Sequence, residues 1–276
     1  IIAFPTTLLF SKFTNCPKNK FKMKKILIPA LFALIFITGC SLDVDRSAMS
    51  PEERFKYALG LFEDESYLEA ITEFESILIQ YPGSSIAADA QYYLAMSRFK
   101  RDEFLMSAYE FSKLINTMRA SQYIKDAQFM LADSYYELSP VYSLDQKYSE
   151  KAIEEFQAFI NFFPADPKVE EAERKILELN DKLAQKMYSN AVTYENMGML
   201  GAAIDYYGYL VEKYHDSKLS PVAAYDKIRL LVDRKRYKEA LKDTDLFLSR
   251  YKGDSNYSKV ESIRADLLKL PQLSVQ

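Results

Sequence analysis

The chain has no tryptophan, a single histidine, two cysteines and only seven glycines in 276 residues, and each shortage removes a class of function. Both cysteines, Cys16 and Cys40, fall within the first forty residues, so nothing downstream can form a disulfide or a cysteine-based metal site. The single histidine, His215, rules out a His-Glu-x-x-His zinc motif. There is no Gly-x-Ser-x-Gly and no phosphate loop, and Gly198-Met199-Leu200-Gly201 lacks the dinucleotide-binding spacing. Catalysis needs a group that changes protonation near neutral pH, an activated nucleophile or a metal cage, and the chain offers none in a recognisable pattern. The expectation is a non-enzyme without a cofactor or metal, in which His215 is a helix-end residue.

Few glycines, ten prolines and long intervening stretches rich in Ala, Leu, Glu, Lys and Tyr predict an all-α fold with few β-turns. Hydrophobic residues make up 49% of the chain, enough to bury a core, which excludes global disorder. The formal charge of −3 is uneven: the first forty residues hold six Lys and no acidic residue, which leaves 30 basic against 39 acidic groups afterwards. A folded part this acidic argues against nucleic acid as a partner.

Met23-Lys24-Lys25 precedes an apolar stretch from Ile26 to Ile37, followed by Thr38-Gly39-Cys40. A short basic region, an apolar run below the roughly 20 residues of a spanning helix, and small residues before a cut describe a secretory signal. Ile37-Thr38-Gly39-Cys40 resembles the bacterial lipobox, whose cysteine thiol becomes the thioether to a diacylglyceryl group. The resemblance implies acylation at Cys40, palmitate included, and membrane anchoring without a spanning segment, since several buried chains hold where one does not. The other reading is that Cys40 ends a buried apolar helix. Residues 1–22 read as an upstream extension, 23–39 as signal peptide, 40–50 as a lipidated tether, 51–270 as the folded domain and 271–276 as a tail.

Within 51–270 one element recurs five times. A helix with Ala in its middle is followed by a turn, an aromatic, a small residue three positions on, another aromatic four beyond, and often Tyr-Pro. The copies read Ala58, Tyr67, Ala70, Phe74 and Tyr81-Pro82; Ala95, Phe104, Ser107 and Phe111; Ala132, Tyr148, Ala152, Phe156 and Phe163-Pro164; Ala191, Ala203, Tyr207 and Tyr214; and Ile228, Tyr237, Ala240 and Tyr251, with Thr244 where an aromatic is expected. The small residue steps by 37, 45, 51 and 37 positions. The excess falls in an insertion from Ser139 to Asp145 and in extended helical sequence from Lys168 to Lys186. Small residues let two antiparallel helices approach, and stacking buries a face that one hairpin cannot bury alone. The fold expected is therefore a tetratricopeptide-like superhelix of helix pairs, about five repeats long.

The repeat resembles the tetratricopeptide family, without its common Trp. Lipobox, five unevenly spaced repeats, the opening Ser50-Pro51-Glu52-Glu53-Arg54-Phe55-Lys56-Tyr57-Ala58 and the closing Tyr81-Pro82-Gly83-Ser84-Ser85 together resemble the BamD family, lipoproteins of the outer-membrane β-barrel assembly (BAM) complex. The resemblance implies a lipid-anchored scaffold on the periplasmic face of the outer membrane. It implies two partners, the periplasmic domains of the barrel-assembly protein BamA and unfolded outer-membrane proteins. Two other functions remain open from the sequence: an envelope adaptor for cell-wall enzymes, and a structural spacer.

In such an array the first helices line a concave face. Helical spacing places Phe55, Leu59 and Phe62, then Tyr92, Met96 and Phe99, then Phe129, Asp133 and Tyr136 along it. These residues are either the wall of a groove for the apolar side chains of an extended peptide or ordinary inter-repeat core. The fifth copy carries Arg229, Arg234, Lys235, Arg236 and Lys238, with Lys242 one turn on, which is either a docking patch for an acidic partner or a solvated face.

Overall fold

The computed structural model describes residues 49–271; the expected signal sequence, Cys40, the expected tether up to residue 48 and the tail from 272 lie outside the described residues. Among the described residues there are eleven α-helices and no strand: α1 Pro51–Glu63, α2 Tyr67–Gln80, α3 Ala87–Lys100, α4 Phe104–Thr117, α5 Ile124–Glu137, α6 Lys147–Phe162, α7 Val169–Asn196, α8 Leu200–Lys213, α9 Ser220–Asp233, α10 Tyr237–Arg250 and α11 Tyr257–Leu268. Consecutive helices pack on one another in chain order, giving five helix pairs and a closing helix. No helix among them is long and apolar enough to cross a membrane.

The stack starts at a reciprocal cap. Ser50 Oγ accepts from Glu53 N–H at 3.2 Å, Glu53 Oε2 accepts from Ser50 N–H at 2.9 Å, and Pro51 supplies the fixed φ of the first helical position. The Ser50 backbone bond, then the Ser50 hydroxyl, holds the Glu53 carboxyl below its ordinary value.

The repeat register read from the sequence is the register of burial. The first-helix row Ala58, Ala95, Ala132, Ala191 and Ile228 is buried, as are the rows Ala70, Ser107, Ala152, Ala203, Ala240 and Phe74, Phe111, Phe156, Tyr207, Thr244. Thr244 holds the aromatic position of the last pair and is buried with its hydroxyl donating to Leu241 O at 2.7 Å.

Two turns alternate. Within four of the five pairs the chain reverses through one left-handed residue: Glu65, Asp102 and Lys235 have φ of 58–59°, and Gly198 has φ of 73°; the third pair reverses through the longer 138–146 loop. Between pairs a six-residue turn begins at Tyr81, Met118, Phe163, Tyr214 or Tyr251. Its fourth residue, Ser84, Ser121, Asp166, Ser217 or Asp254, donates its N–H to the carbonyl of the first. In the last four turns the side chain of that residue also accepts from a backbone N–H two positions on. Pro82 and Pro164 fit this turn, but Met118-Arg119 and Tyr214-His215 form it without proline, so proline punctuates the turn and does not create it.

α7 departs from the pattern. The extended stretch and the first helix of the fourth pair are one continuous helix of 28 residues, twice the 14 of α5. Ala172 and Leu179 pack with Phe129, Ala132, Phe156 and Phe159, whereas Leu183, Ala184 and Ala191 join the cluster of α8 to α11. The added half is about 21 Å of helix, so the last two pairs are stepped along the axis relative to the first three. The insertion between α5 and α6 fills one corner of this step. Lys182 Nζ donates to Ser139 Oγ at 2.7 Å and Lys186 Nζ to Leu144 O at 2.5 Å, while buried Gln146 donates to Val141 O and Leu144 O from within the loop.

Candidate functional site

Of the residues expected along the groove, Phe55, Phe62 and Tyr92 lie at the seams between successive pairs. Phe55 packs on Phe74 and on Tyr93 of the next pair, with ring centroids at 5.9 and 6.0 Å; Phe62 meets Tyr67 at 5.5 Å and Tyr93 at 5.3 Å. Tyr92 stacks on Tyr123 at 4.2 Å, and Phe99 meets Phe104 edge-on at 5.2 Å. Met96 packs beside Tyr92 against the cluster of Ala95, Phe111 and Leu131. All six of Phe55, Leu59, Phe62, Tyr92, Met96 and Phe99 are half-buried and keep some surface. Burial raises the Tyr92 and Tyr123 hydroxyls from 10.0 to about 12, with nearby carboxylates as a smaller cause.

The third pair differs. Phe129 is 4% exposed and packs on Phe156 and Phe159 at 5.6 and 5.3 Å, so it belongs to the core. The ammonium of Lys175, from α7, lies 4.7 Å from the centroid of Tyr136 and 5.7 Å from those of Phe129 and Phe156. It bonds to Asp133 and approaches Glu171 at 3.5 Å. Lys175 stands where the earlier pairs have Tyr93 and Met130. The aromatic surface is thus continuous over the first two pairs and capped by a cation at the third.

The basic run divides. Arg229 donates to Glu195 Oε1 at 2.6 Å and approaches Asp226 at 3.6 Å, in a network that also takes hydrogen bonds from Tyr207 to Glu195 and from Tyr188 to Asp226. It therefore ties α7 to α9. Arg236 holds Glu239 at 2.6 Å, a bond that raises the guanidinium and lowers the carboxyl. Arg234, Lys235 and Lys238 are exposed, and among the described residues none of the three forms an ion pair. They sit at the α9–α10 turn. At the α7–α8 turn, Met197 and Met199 are exposed on either side of Gly198.

Sequence reasoning missed a polar latch inside the first three pairs. Arg54 Nε donates to Glu73 at 3.0 Å; Gln91 and Gln128 each donate to the carboxylates of Glu110 and Glu155 at 2.7 Å. The signal was present, because these residues step by 37 and by 37 then 45 positions like the rest of the repeat. It was hidden because charged residues at helical spacing usually face water. No group of three or more potential metal ligands exists among the described residues.

No curated protein matches the sequence. Solved tetratricopeptide-repeat proteins overlay loosely. A thermophilic one from Thermus thermophilus is 16% identical, covers 80% of this chain and all of that chain, and has a TM-score of 0.34. The TPR2AB domain of yeast Sti1, in its pHSP90 complex, is 12% identical over 79% of this chain and 98% of that one, at a TM-score of 0.37. The profile of the YfiO family, described as outer membrane lipoprotein, matches residues 47–228. The match spans most of the chain, from the start of the helical stack into α9, and the protein therefore belongs to the YfiO family of outer-membrane lipoproteins, the BamD family.

Proposed function

We propose that the protein is a scaffold of the BAM complex, anchored through lipidated Cys40 to the periplasmic face of the outer membrane. Its last pairs hold the periplasmic domains of BamA, and the first pairs receive unfolded outer-membrane proteins. Membership of an outer-membrane lipoprotein family built from helix pairs supports the scaffold. The observation that carries the substrate reading is the row of six half-buried apolar residues, Phe55, Leu59, Phe62, Tyr92, Met96 and Phe99, on consecutive first helices. Extended segments of β-barrel strands present apolar side chains on alternate positions, and such a row matches one face of them. Phe129 and Tyr136 were also expected in this row; with Lys175 over both rings, the footprint here is assigned to the first two pairs. For the BamA contact, the free cations Arg234, Lys235 and Lys238 are the docking group, while Arg229 and Arg236 are held by their own carboxylates.

Phe62→Ala combined with Phe99→Ala is expected to weaken binding of an unfolded barrel-strand peptide about tenfold, with unchanged helical circular dichroism. Loss of helicity would show that the two rings are core, and unchanged binding would remove the groove. Arg234→Glu with Lys238→Glu is expected to abolish co-purification with BamA. Retention of BamA, or recovery of a cell-wall hydrolase in its place, would redirect the assignment to an adaptor.

A further inference from the structure

The first half of α7 carries a helix face that the repeat pattern would normally cover. In α5 the residues turned toward the second helix of the pair include Gln128, Phe129 and Ala132, all buried. The same register in α7, 45 positions on, presents Glu173, Arg174 and Leu177, and all three are exposed, Leu177 by 54%. Glu170 and Asp181 extend the stripe at either end. No second helix stands here, because the chain continues along α7 before α8 turns back, and the α8 cluster begins at Leu183.

This face lies on the side of α7 opposite Lys175, Lys182 and Lys186, by the 100° advance of each helical residue. On that opposite side the 139–145 loop fills its corner. Here the corner stays open as a cleft of about 370 Å³ between Leu177, Asn180, Asp181 and the turn from Lys213 to Lys218. The stripe is acidic around one apolar residue: among the described residues Glu170 and Glu173 form no ion pair, and the face's own cation, Arg174, leans to Glu178 at 3.9 Å. Asp181, at the far end, accepts from Lys218 N–H at 3.4 Å, and Lys213 and Lys218 stand across the cleft, so the free acidic charge is that of Glu170 and Glu173.

We propose that this face docks a basic amphipathic helix of a partner protein. The helix stands where the second helix of a pair would stand, with an apolar residue on Leu177 and Lys or Arg side chains over Glu170 and Glu173. Such helix-on-face recognition takes its anchor from the apolar contact and its orientation and selectivity from the opposed charges. The proposal does not rest on the groove of the first pairs or on the basic turn.

The absence of tryptophan provides a direct probe. In the full chain, Leu177→Trp places the sole tryptophan on the face. It is titrated with a synthetic amphipathic helical peptide bearing Lys around a central Leu, and with its counterpart bearing Glu for Lys. Calorimetry on the unsubstituted chain gives the same comparison without the new side chain. The expected result is a saturable blue shift with the basic peptide alone. Glu170→Lys with Glu173→Lys should weaken it about tenfold or more and transfer binding to the acidic peptide. No response to either peptide, equal response to both, or a response indifferent to charge reversal overturns the proposal. Self-association without peptide that the two Glu→Lys changes abolish would also overturn it, by assigning the face to a second copy.

Discussion

At the scale of single residues, the decisive feature is a lysine where its repeat equivalents are Tyr93 and Met130. Lys175 is buried, and its charge is tolerated because Asp133 accepts a hydrogen bond from its ammonium and three aromatic faces surround it. Removing one member of a buried pair leaves the other uncompensated, which costs about 3–5 kcal/mol, whereas an apolar pair of similar volume is often neutral. Lys175→Met should therefore lower stability by about that amount in urea unfolding, and adding Asp133→Leu should restore most of it. If the double variant is as unstable as the single one, Lys175 contributes by packing its stem and not by its charge. Neither role is visible in the local sequence, where Glu171 and Lys175 look like an exposed i, i+4 pair on an acidic helix.

At the scale of elements, the 139–145 insertion and the doubled α7 form one device. The loop displays Val141 and Leu144, 64% and 57% exposed, yet its backbone is held from inside by Gln146, which also accepts from Ser149 Oγ at 2.7 Å. Gln146→Ala leaves the Val141 and Leu144 carbonyls without that donor and is expected to cost about 1–3 kcal/mol. The local signature is faster trypsin cleavage beside the loop at Lys147 under native conditions, with cleavage elsewhere unchanged. Uniformly faster cleavage would mean that the loop and the stack unfold together. The insertion and the long helical stretch were both legible as departures from a fixed period. That they brace each other was not, because the contacts between Lys182 and Ser139 and between Lys186 and Leu144 span more than forty residues.

At the scale of the whole molecule, half-buried and buried tyrosines distributed along the stack couple it to alkaline pH. Burial pushes Tyr92, Tyr123, Tyr136 and Tyr188 up to about 12, and Tyr207 further in the same direction. The unfolded chain ionises these hydroxyls near 10, so above that pH it binds fewer protons than the folded chain and stability falls as pH rises. Their contribution is complete below pH 10 and disappears as pH passes about 12. Thermal midpoints should be flat up to pH 10 and then drop, with tyrosinate absorbance from this group appearing together with loss of helicity. Tyrosinate absorbance that rises to completion near pH 10 with the helices intact would show that these hydroxyls are open to solvent.

The sequence by itself determined the class and register of the fold, because a helix pair needs small residues at the crossing and bulky ones beside it, and both are local patterns. The rows Ala58 to Ile228 and Ala70 to Ala240 could be placed, and their spacing revealed where the array is irregular. Even Thr244, read as a degenerate position, takes the buried place its register assigns. Only the tertiary structure decided which apolar and charged residues meet a neighbour. It put Phe129 in the core, bound Arg229 to Glu195, left Arg234 and Lys238 free, and exposed Leu177 on a helix face in the same register as the buried face of α5. The physical reason is that burial of a helix face depends on whether another helix lies against it, and here that turns on the fourteen extra residues of α7.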